Sequence, residues 1–180
     1  MDDLRVLFTR DQIQSRVVEL AAEVDCEFAG QSIVLIGVLK GAAIFLSDLA
    51  RQISLDATFD FVGVSSYGEQ QHSSGEVRLT KDVDRPLTGA NVVLVEDILD
   101  SGNTLTCLRM LLLAHQPRCI KIAALLDKPS RRVTPITADY LGFTIDDQFV
   151  VGYGMDFAER YRNLPDICVL ARETVAEVDE

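Results

Sequence analysis

The stretch Val92–Leu105, VVLVEDILDSGNTL, joins a short apolar run to several carboxylates and a small turn that contains glycine. The continuous apolar residues Val92–Val95 are typical of a strand that is buried on both faces of a parallel sheet. After the turn, apolar residues recur at helical spacing over Thr104–Leu113. The stretch therefore predicts a strand, a tight turn and a helix, with Glu96 and Asp97 directly after the strand.

Further strands and helices are predicted to alternate on both sides of this unit. A capping box at Thr9 and Gln12 opens one helical pattern, and Ala42–Gln52 carries another. The other apolar or β-rich runs are Ile33–Val38, Thr58–Ser66, Ile120–Leu126, Tyr140–Phe143 and Ile167–Leu170. Such alternation indicates an α/β fold with a mostly parallel central sheet and helices on both faces. We find no internal repeat or linker and expect one domain over residues 1–180.

Three separate stretches are predicted to meet at one edge of this sheet. Lys40, Asp97–Asn103 and Lys128 each fall just past the end of a predicted strand. In open α/β sheets, ligands bind outside the carboxyl ends of the strands. These residues are therefore the first candidates for a binding site.

The turn Ser101-Gly102-Asn103-Thr104 has the composition of a phosphate cradle. Free N–H groups at the start of a helix, two hydroxyls and the helix dipole can face one phosphate, and glycine lets the backbone come close. Carboxylates would repel a phosphate, so Glu96 and Asp97 need another role. They can accept hydrogen bonds from the hydroxyls of a ribose, or hold a metal ion.

Composition narrows the class of protein. The chain has 180 residues, 48% of them apolar, and a formal net charge of −11. Proteins that bind nucleic acid through its phosphates normally present a basic face, so this charge argues against that class. No apolar run approaches the length of a membrane-spanning helix, and the N-terminus does not resemble a signal peptide. The four cysteines form no C-x-x-C pair, and we expect reduced core cysteines in a cytoplasmic protein.

The central stretch resembles the phosphoribosyl-pyrophosphate signature of the type I phosphoribosyltransferases. Its variant VEDILDSGNTL is similar to that of the bacterial hypoxanthine branch of this family. The resemblance continues in four further motifs, which are GVLKGA (Gly37–Ala42), VSSYG (Val64–Gly68), LLDKPSRR (Leu125–Arg132) and FVVGYGMDFAERYRNLP (Phe149–Pro165). It implies a small hood beside the central sheet and a mobile lid loop.

The resemblance also implies a role for each residue of the signature. Glu96 and Asp97 would contact the ribose hydroxyls, and the turn Ser101, Gly102, Asn103 and Thr104 would enclose the 5′-phosphate. Asp100 would take the proton that a purine loses when its nitrogen attacks the anomeric carbon. A carboxylate within hydrogen-bond reach can do this chemistry.

Other motifs would bind pyrophosphate and the base. The family's pyrophosphate loop corresponds to Leu39, Lys40 and Gly41, with a peptide before the lysine that is sometimes cis, and Arg162 would pair with pyrophosphate. Asp156 would be a Mg²⁺ ligand, and Glu96 and Asp97 are further candidates for the metal. The purine site would comprise Lys128 on the O6 atom of a 6-oxopurine, Phe149 stacked on the ring and Val150 at its edge. Ser66 and Tyr67 would lie at the tip of the lid.

The implied activity is Mg²⁺-dependent transfer of a 5-phosphoribosyl group from its 1-pyrophosphate to N9 of hypoxanthine and guanine, in purine salvage. A homodimer or homotetramer is expected, with small-molecule substrates and no nucleic-acid or membrane partner. Three alternatives stay open at this stage. They are a preference for another base such as xanthine, an RNA-binding regulator of the same fold, and a nucleotide-binding module without catalysis. An ammonium group can only donate, so Lys128 disfavours adenine.

Overall fold

The computed structural model describes residues 4–66 and 77–171. Its helices are α1 (Arg10–Glu27), α2 (Ala43–Gln52) and α3 (Asn103–Leu113), with a short 3₁₀ helix at Pro129–Arg131. Its strands are β1 (Leu4–Phe8), β2 (Ile33–Leu39), β3 (Ala57–Ser66), β4 (Val77–Lys81), β5 (Asn91–Leu99), β6 (Cys119–Asp127), β7 (Tyr140–Thr144), β8 (Val150–Val151) and β9 (Ile167–Leu170). None of the described helices has the length and apolar composition needed to cross a membrane.

Six strands form the central sheet in the order β4-β3-β2-β5-β6-β7. The pairs β2–β3, β2–β5, β5–β6 and β6–β7 are parallel, and only β4 runs antiparallel to its neighbour β3. The predicted mostly parallel sheet is confirmed. Strand β5 lies in the interior of the sheet, so its carboxyl end opens between the ends of β2 and β6.

Helices cover both faces of the sheet, as predicted. On one face α1 and α2 pack against inward residues of the strands, such as Val93 and Val95 of β5. On the other face α3 packs through Leu105 and Leu108 against a second cluster that includes Leu94. Strand β5 therefore buries successive side chains in two different cores, which explains its continuous apolar run.

Strands β1, β9 and β8 form a separate three-stranded antiparallel sheet. This small sheet is the hood that the resemblance implies. Strand β1 was not predicted from sequence, because LRVLF is short and gains its partner only from β9, at the other end of the chain. Residues 152–162, which follow β8, are carried by this sheet towards the carboxyl end of β5.

Three expectations need correction or stay open. The prediction that Glu96 and Asp97 follow the strand is wrong, because β5 continues to Leu99 and its ladder with β6 pairs Glu96 with Ala124. None of the four cysteines forms a disulfide, but the expectation of core positions is met only by the buried Cys168, since Cys26 is exposed and Cys107 and Cys119 are half-buried. Ser66 ends β3 opposite Val77, whereas Tyr67 lies outside the described residues, so the predicted lid stays a prediction.

Basic side chains bind backbone carbonyls near both edges of the central sheet. Arg16 of α1 donates to Leu141 O at 2.7 Å and to Gly142 O at 3.2 Å, and both carbonyls belong to β7. Lys81 at the end of β4 donates to Phe61 O at 2.9 Å and pairs with Asp60 at 3.1 Å. These contacts connect α1 and β3 to the two outermost strands.

Candidate active site

A cavity of about 300 Å³ opens at the carboxyl end of β5. We call it the β5 pocket. Its polar lining comes from the end of the strand and the start of α3, and consists of Glu96, Asp97, Asp100, Ser101, Gly102 and Thr104. Asn103 begins α3, and its N–H donates to the Ser101 hydroxyl at 3.4 Å. The structure thus brings the predicted ribose- and phosphate-binding residues together at one place.

The turn at the bottom of the β5 pocket requires glycine. Gly102 has a φ of +87°, and a Cβ there would lie 2.5 Å from Thr134 Oγ1 and 2.6 Å from Ile136 Cγ2. The following loop is held behind the turn because Ser101 O accepts hydrogen bonds from the N–H groups of Val133 and Thr134. Gly102 caps α3 without a side-chain hydrogen bond, so the N–H groups that follow Asn103 in the first turn of the helix stay available to an anion.

Glu96 and Asp97 form an unusual acidic pair in this pocket. Glu96 is only 7% exposed, and its Oε2 atom has no hydrogen-bond partner among the described residues. Burial, together with the negative charge of Asp97, raises the pKa of Glu96 well above its usual value. An unpartnered buried oxygen is costly unless a donor or a cation meets it. The pair therefore fits ribose hydroxyls or a metal ion.

The loop after β2 lies directly against this acidic pair. The Leu39–Lys40 peptide is cis. A side chain at Gly41 would overlap the Asp97 carboxylate, and a side chain at Gly154 would overlap the Gly41 carbonyl oxygen. Close backbone approach at Gly41 therefore brings three segments together, which are the end of β5, the loop after β2 and the segment after β8.

Charged side chains from the loop after β2 and the segment after β8 form what we call the ion-pair cluster: Lys40, Asp156, Glu159 and Arg162. Glu159 binds Lys40 Nζ through Oε2 at 2.7 Å and Arg162 Nη2 through Oε1 at 3.3 Å. Arg162 Nη2 also contacts Asp156 Oδ1 at 2.8 Å. The hydrogen bond from Lys40 lowers the pKa of Glu159, which is therefore a carboxylate at neutral pH.

Asp156 and Arg162 are further held by the backbone of their own segment. The Glu159 N–H donates to Asp156 Oδ2 at 2.8 Å, and Arg162 Nη1 donates to the Gly154 carbonyl at 2.8 Å. Arg162 Nε is buried and has no partner among the described residues. Arg162 is therefore held through its two terminal nitrogens, and its Nε–H is left outside the hydrogen-bond network.

A buried network anchors the segment that carries this cluster. The Tyr153 hydroxyl donates to Asp48 Oδ2 at 2.6 Å, and Gln14 Nε2 donates to the same oxygen at 2.6 Å. Burial alone would raise the pKa of Asp48, but these hydrogen bonds and the ion pair with Arg51 outweigh it and lower the pKa. Burial and the bond to Asp48 raise the pKa of Tyr153. Residues of α1 and α2 therefore fix the backbone next to Gly154.

The residues predicted to bind a purine lie on two segments, just after β6 and at the start of β8. Lys128 is 8% exposed, and its N–H donates to the Leu99 carbonyl at 3.0 Å, which places it beside the end of β5. Phe149 is 38% exposed and packs edge-on against Phe157, with ring centroids 5.4 Å apart. Val150 is buried in β8. Lys128 thus lies beside the end of β5, whereas Phe149 and Val150 belong to the hood, where the Phe149 carbonyl accepts from the Leu170 N–H at 2.9 Å.

Two arginines of the 3₁₀ segment contact Asp100, and sequence reasoning gave them no role. Arg131 Nε lies 3.2 Å from Asp100 Oδ1, and its Nη1 lies 3.7 Å from Asp147. Arg132 donates to the Asp100 carbonyl and pairs with Asp127. Both arginines stand in the LLDKPSRR motif, but their partners become visible only when β5 and β6 lie side by side. Glu159 was also not predicted, because its partner Lys40 is distant in the sequence.

The predicted metal ligands do not form one cluster. Asp156 lies in the ion-pair cluster, whereas Glu96 and Asp97 lie in the β5 pocket. No group of three or more His, Cys, Asp or Glu side chains within residues 4–66 and 77–171 is arranged to hold a metal ion. Mg²⁺ needs only one or two carboxylates when substrate oxygens complete its shell. The unpartnered oxygen of Glu96 fits such a shared site.

Comparisons with known proteins agree with this geometry. A family model described as the phosphoribosyl transferase domain matches residues 9–158. The hypoxanthine-guanine phosphoribosyltransferase of Bacillus subtilis strain 168 is 49% identical over 166 residues, which cover 92% of this chain and 92% of that protein. A solved hypoxanthine-guanine phosphoribosyltransferase from Bacillus anthracis is 47% identical, with a TM-score of 0.90 and coverage of 95% of this chain and 100% of that one.

Some relatives are much longer. The bifunctional protein TilS/HprT of Listeria innocua is 44% identical over 176 residues, which cover 98% of this chain but 27% of that protein. The chain thus spans about a quarter of the length of this relative.

Proposed function

Because the chain belongs to the phosphoribosyl transferase family, we propose that it transfers a 5-phosphoribosyl group from 5-phosphoribosyl 1-pyrophosphate to N9 of hypoxanthine and guanine. The products would be IMP, GMP and pyrophosphate, and the reaction would serve purine salvage. The B. subtilis and B. anthracis relatives are named for this activity.

The β5 pocket is the observation that carries the proposal. One cavity joins a buried, unpartnered carboxylate oxygen to the start of a helix, so a sugar with hydroxyls at one end and a phosphate at the other fits its two kinds of group. Glu96 and Asp97 would accept hydrogen bonds from the ribose hydroxyls. The turn from Ser101 to Thr104 would hold the 5′-phosphate through N–H groups and hydroxyls.

Asp100 is the proposed proton acceptor. Asp100 lines the β5 pocket, and Arg131 binds one of its carboxylate oxygens at 3.2 Å. A purine nitrogen that attacks the anomeric carbon must lose a proton, and Asp100 would take it through a hydrogen bond. Binding by Arg131 would orient the carboxylate for that step.

The base would lie between Phe149 and Lys128. Phe149 is 38% exposed and its ring is nearly perpendicular to that of Phe157, and Val150 follows it at the start of β8. The Lys128 ammonium can only donate, so it would select the O6 carbonyl of a 6-oxopurine over the amino group of adenine.

Lys40, the backbone of Leu39 and Gly41, and Arg162 would receive pyrophosphate. Asp156 beside these cations, or Glu96 and Asp97 in the β5 pocket, would hold Mg²⁺, which offsets the negative charge of the leaving group when bound. Lys40 and Arg162 would bind the oxygens on which that charge develops. Ser66 and Tyr67 stay predicted lid residues whose closure would exclude water.

The remaining proposals concern the whole protein. We propose that residues 1–180 act as a single domain in the cytoplasm and assemble as a homodimer or homotetramer. A measurement of the mass of the protein in solution would test the assembly.

A steady-state assay with hypoxanthine, guanine, xanthine and adenine, with and without Mg²⁺, tests this function. We expect turnover of hypoxanthine and guanine that requires the metal, and little turnover of adenine. Lys128→Gln should reduce the discrimination against adenine, because an amide both donates and accepts. Turnover of xanthine alone, or of no base at all, would contradict the proposal.

A further inference from the structure

We infer that Glu159 is an internal competitor of pyrophosphate, which lowers the affinity of the site for the pyrophosphate group and speeds its release. The inference rests on the proposed function, because it concerns the two cations, Lys40 and Arg162, that we assign to pyrophosphate. It adds a residue that binds no substrate and yet sets how tightly one substrate and one product are held.

The geometry of the carboxylate is that of a bridge between these cations. Glu159 Oε2 lies 2.7 Å from Lys40 Nζ and Oε1 lies 3.3 Å from Arg162 Nη2, so each oxygen serves a different cation. Lys40 belongs to the loop after β2 and Arg162 to the segment after β8. The Glu159 side chain therefore links the loop after β2 to the segment after β8. A pyrophosphate bound to Lys40 and Arg162 would link the same two segments.

Asp156 cannot make the same bridge. Its two oxygens are already engaged by Arg162 Nη2 at 2.8 Å and by the Glu159 N–H at 2.8 Å. The Asp156 carboxylate is 28% exposed and that of Glu159 is 67% exposed. Asp156 is thus fixed in place, whereas Glu159 projects into solvent and can swing away when another anion arrives.

The Glu159 carboxylate weakens pyrophosphate binding because both groups are negatively charged. A pyrophosphate that contacts Lys40 and Arg162 must displace the Glu159 carboxylate or lie beside it, and both cost free energy. The positive charge of the Arg162 guanidinium would still attract the ligand. The site would then bind its donor less tightly than its cations allow, and the same weakening would apply to the departing product.

Calorimetric binding of Mg²⁺-pyrophosphate to the full chain and to Glu159→Gln tests the inference. We expect about three- to tenfold tighter binding by the variant, the range expected for loss of two exposed ion pairs. The difference should narrow as ionic strength rises, because salt screens exposed charges. Inhibition of the forward reaction by pyrophosphate should strengthen by a similar factor, whereas KM for hypoxanthine should stay unchanged.

Glu19→Gln is the matched control. Glu19 lies on α1, is 62% exposed and pairs with Arg16 at 2.6 Å, so its loss also removes one negative charge and one exposed ion pair. Its pyrophosphate affinity should stay within about twofold of the unchanged protein. Equal tightening in both variants would mean that net charge alone is responsible and would overturn the inference.

Other outcomes separate this inference from the proposed function. If the unchanged protein binds Mg²⁺-pyrophosphate and Glu159→Gln binds it equally or more weakly, Glu159 supports the site and the inference falls. Glu159→Ala should agree with Glu159→Gln, since both remove the charge. If the unchanged protein binds no pyrophosphate and turns over no base, it is the proposed function that falls.

Discussion

The β5 pocket and the ion-pair cluster meet at Gly41, but they handle charge in opposite ways. In the β5 pocket a buried carboxylate, Glu96, keeps one oxygen without any donor among the described residues. In the ion-pair cluster the exposed carboxylate of Glu159 contacts two cations. The unpartnered oxygen of Glu96 costs free energy because it is buried, whereas the Glu159 ion pairs contribute little because they are exposed to solvent. The first region is therefore organised for donors that a ligand brings, and the second is already neutralised by the protein.

The largest expected effect would sharpen this contrast by locating the chemistry in the β5 pocket. Asp100→Ala should lower kcat about 10²- to 10⁴-fold, the usual contribution of a general base, with little change in donor KM. Steady-state kinetics would measure it. Asp147→Ala is the control, because Asp147 also contacts Arg131, at 3.7 Å, but has no proposed role. An unchanged kcat in Asp100→Ala would remove this residue from the chemistry.

A change at Gly102 would break the shape of the β5 pocket. Gly102→Ala should cost about 3 kcal/mol of unfolding free energy, from its positive φ and from the contact with Thr134 and Ile136. Gly30→Ala is the matched control, since its φ is +73° but nothing lies within 4 Å of its Cβ position. It should cost about 1 kcal/mol. Equal costs in urea denaturation would show that the contact is unimportant.

A change at Asp48 would remove the support beneath the ion-pair cluster. Asp48→Asn should cost about 2 kcal/mol at neutral pH, because Asp48 accepts two buried hydrogen bonds as a carboxylate. Its folded-state pKa is lowered, so its stabilisation exists above the unfolded pKa of about 3.9 and is lost as pH falls through the folded value. Unfolding at neutral and acidic pH should show a difference that shrinks below about pH 4. A constant difference would contradict this origin.

The smallest expected effect compares the β5 pocket with the ion-pair cluster directly. Glu96→Gln should raise the donor KM about tenfold, because the amide offers only one acceptor to the ribose hydroxyls. Glu159→Gln should change the same constant in the opposite direction. Donor KM values for the two variants, measured side by side, would therefore differ in sign. A shift of both in one direction would mean that the regions do not differ as we describe.

Most of the fold follows from local pattern, but its edges do not. The apolar runs at Ile33–Val38 and Val92–Val95 predict buried parallel strands because both of their faces are covered. Strands β1 and β4 have mixed burial and become strands only through partners at β9 and β3. Such pairing depends on contacts that are distant in sequence, which a local pattern does not contain.

The site divides in the same way. Asp100 and the turn after it lie in one continuous stretch, so their neighbourhood is readable from spacing. Glu159 and Arg131 are ordinary surface charges by sequence, and their partners Lys40 and Asp100 are far away along the chain. Glu159 meets Lys40 only when the segment after β8 lies against the loop after β2. Arg131 meets Asp100 only when the 3₁₀ segment lies beside the end of β5.

The basic side chains at the two edges of the central sheet have a consequence for how copies of this chain can associate. Open edge strands invite pairing with another chain, and natural proteins discourage it with charged side chains. Arg16 occupies two consecutive carbonyl acceptors of β7, and Lys81 places a positive charge at β4 beside Asp60. Extension of the sheet past β7 would compete with Arg16 for carbonyl acceptors, and a strand added at β4 would meet the charge of Lys81. Association through helical or loop surfaces is thereby favoured over growth of a continuous intermolecular sheet.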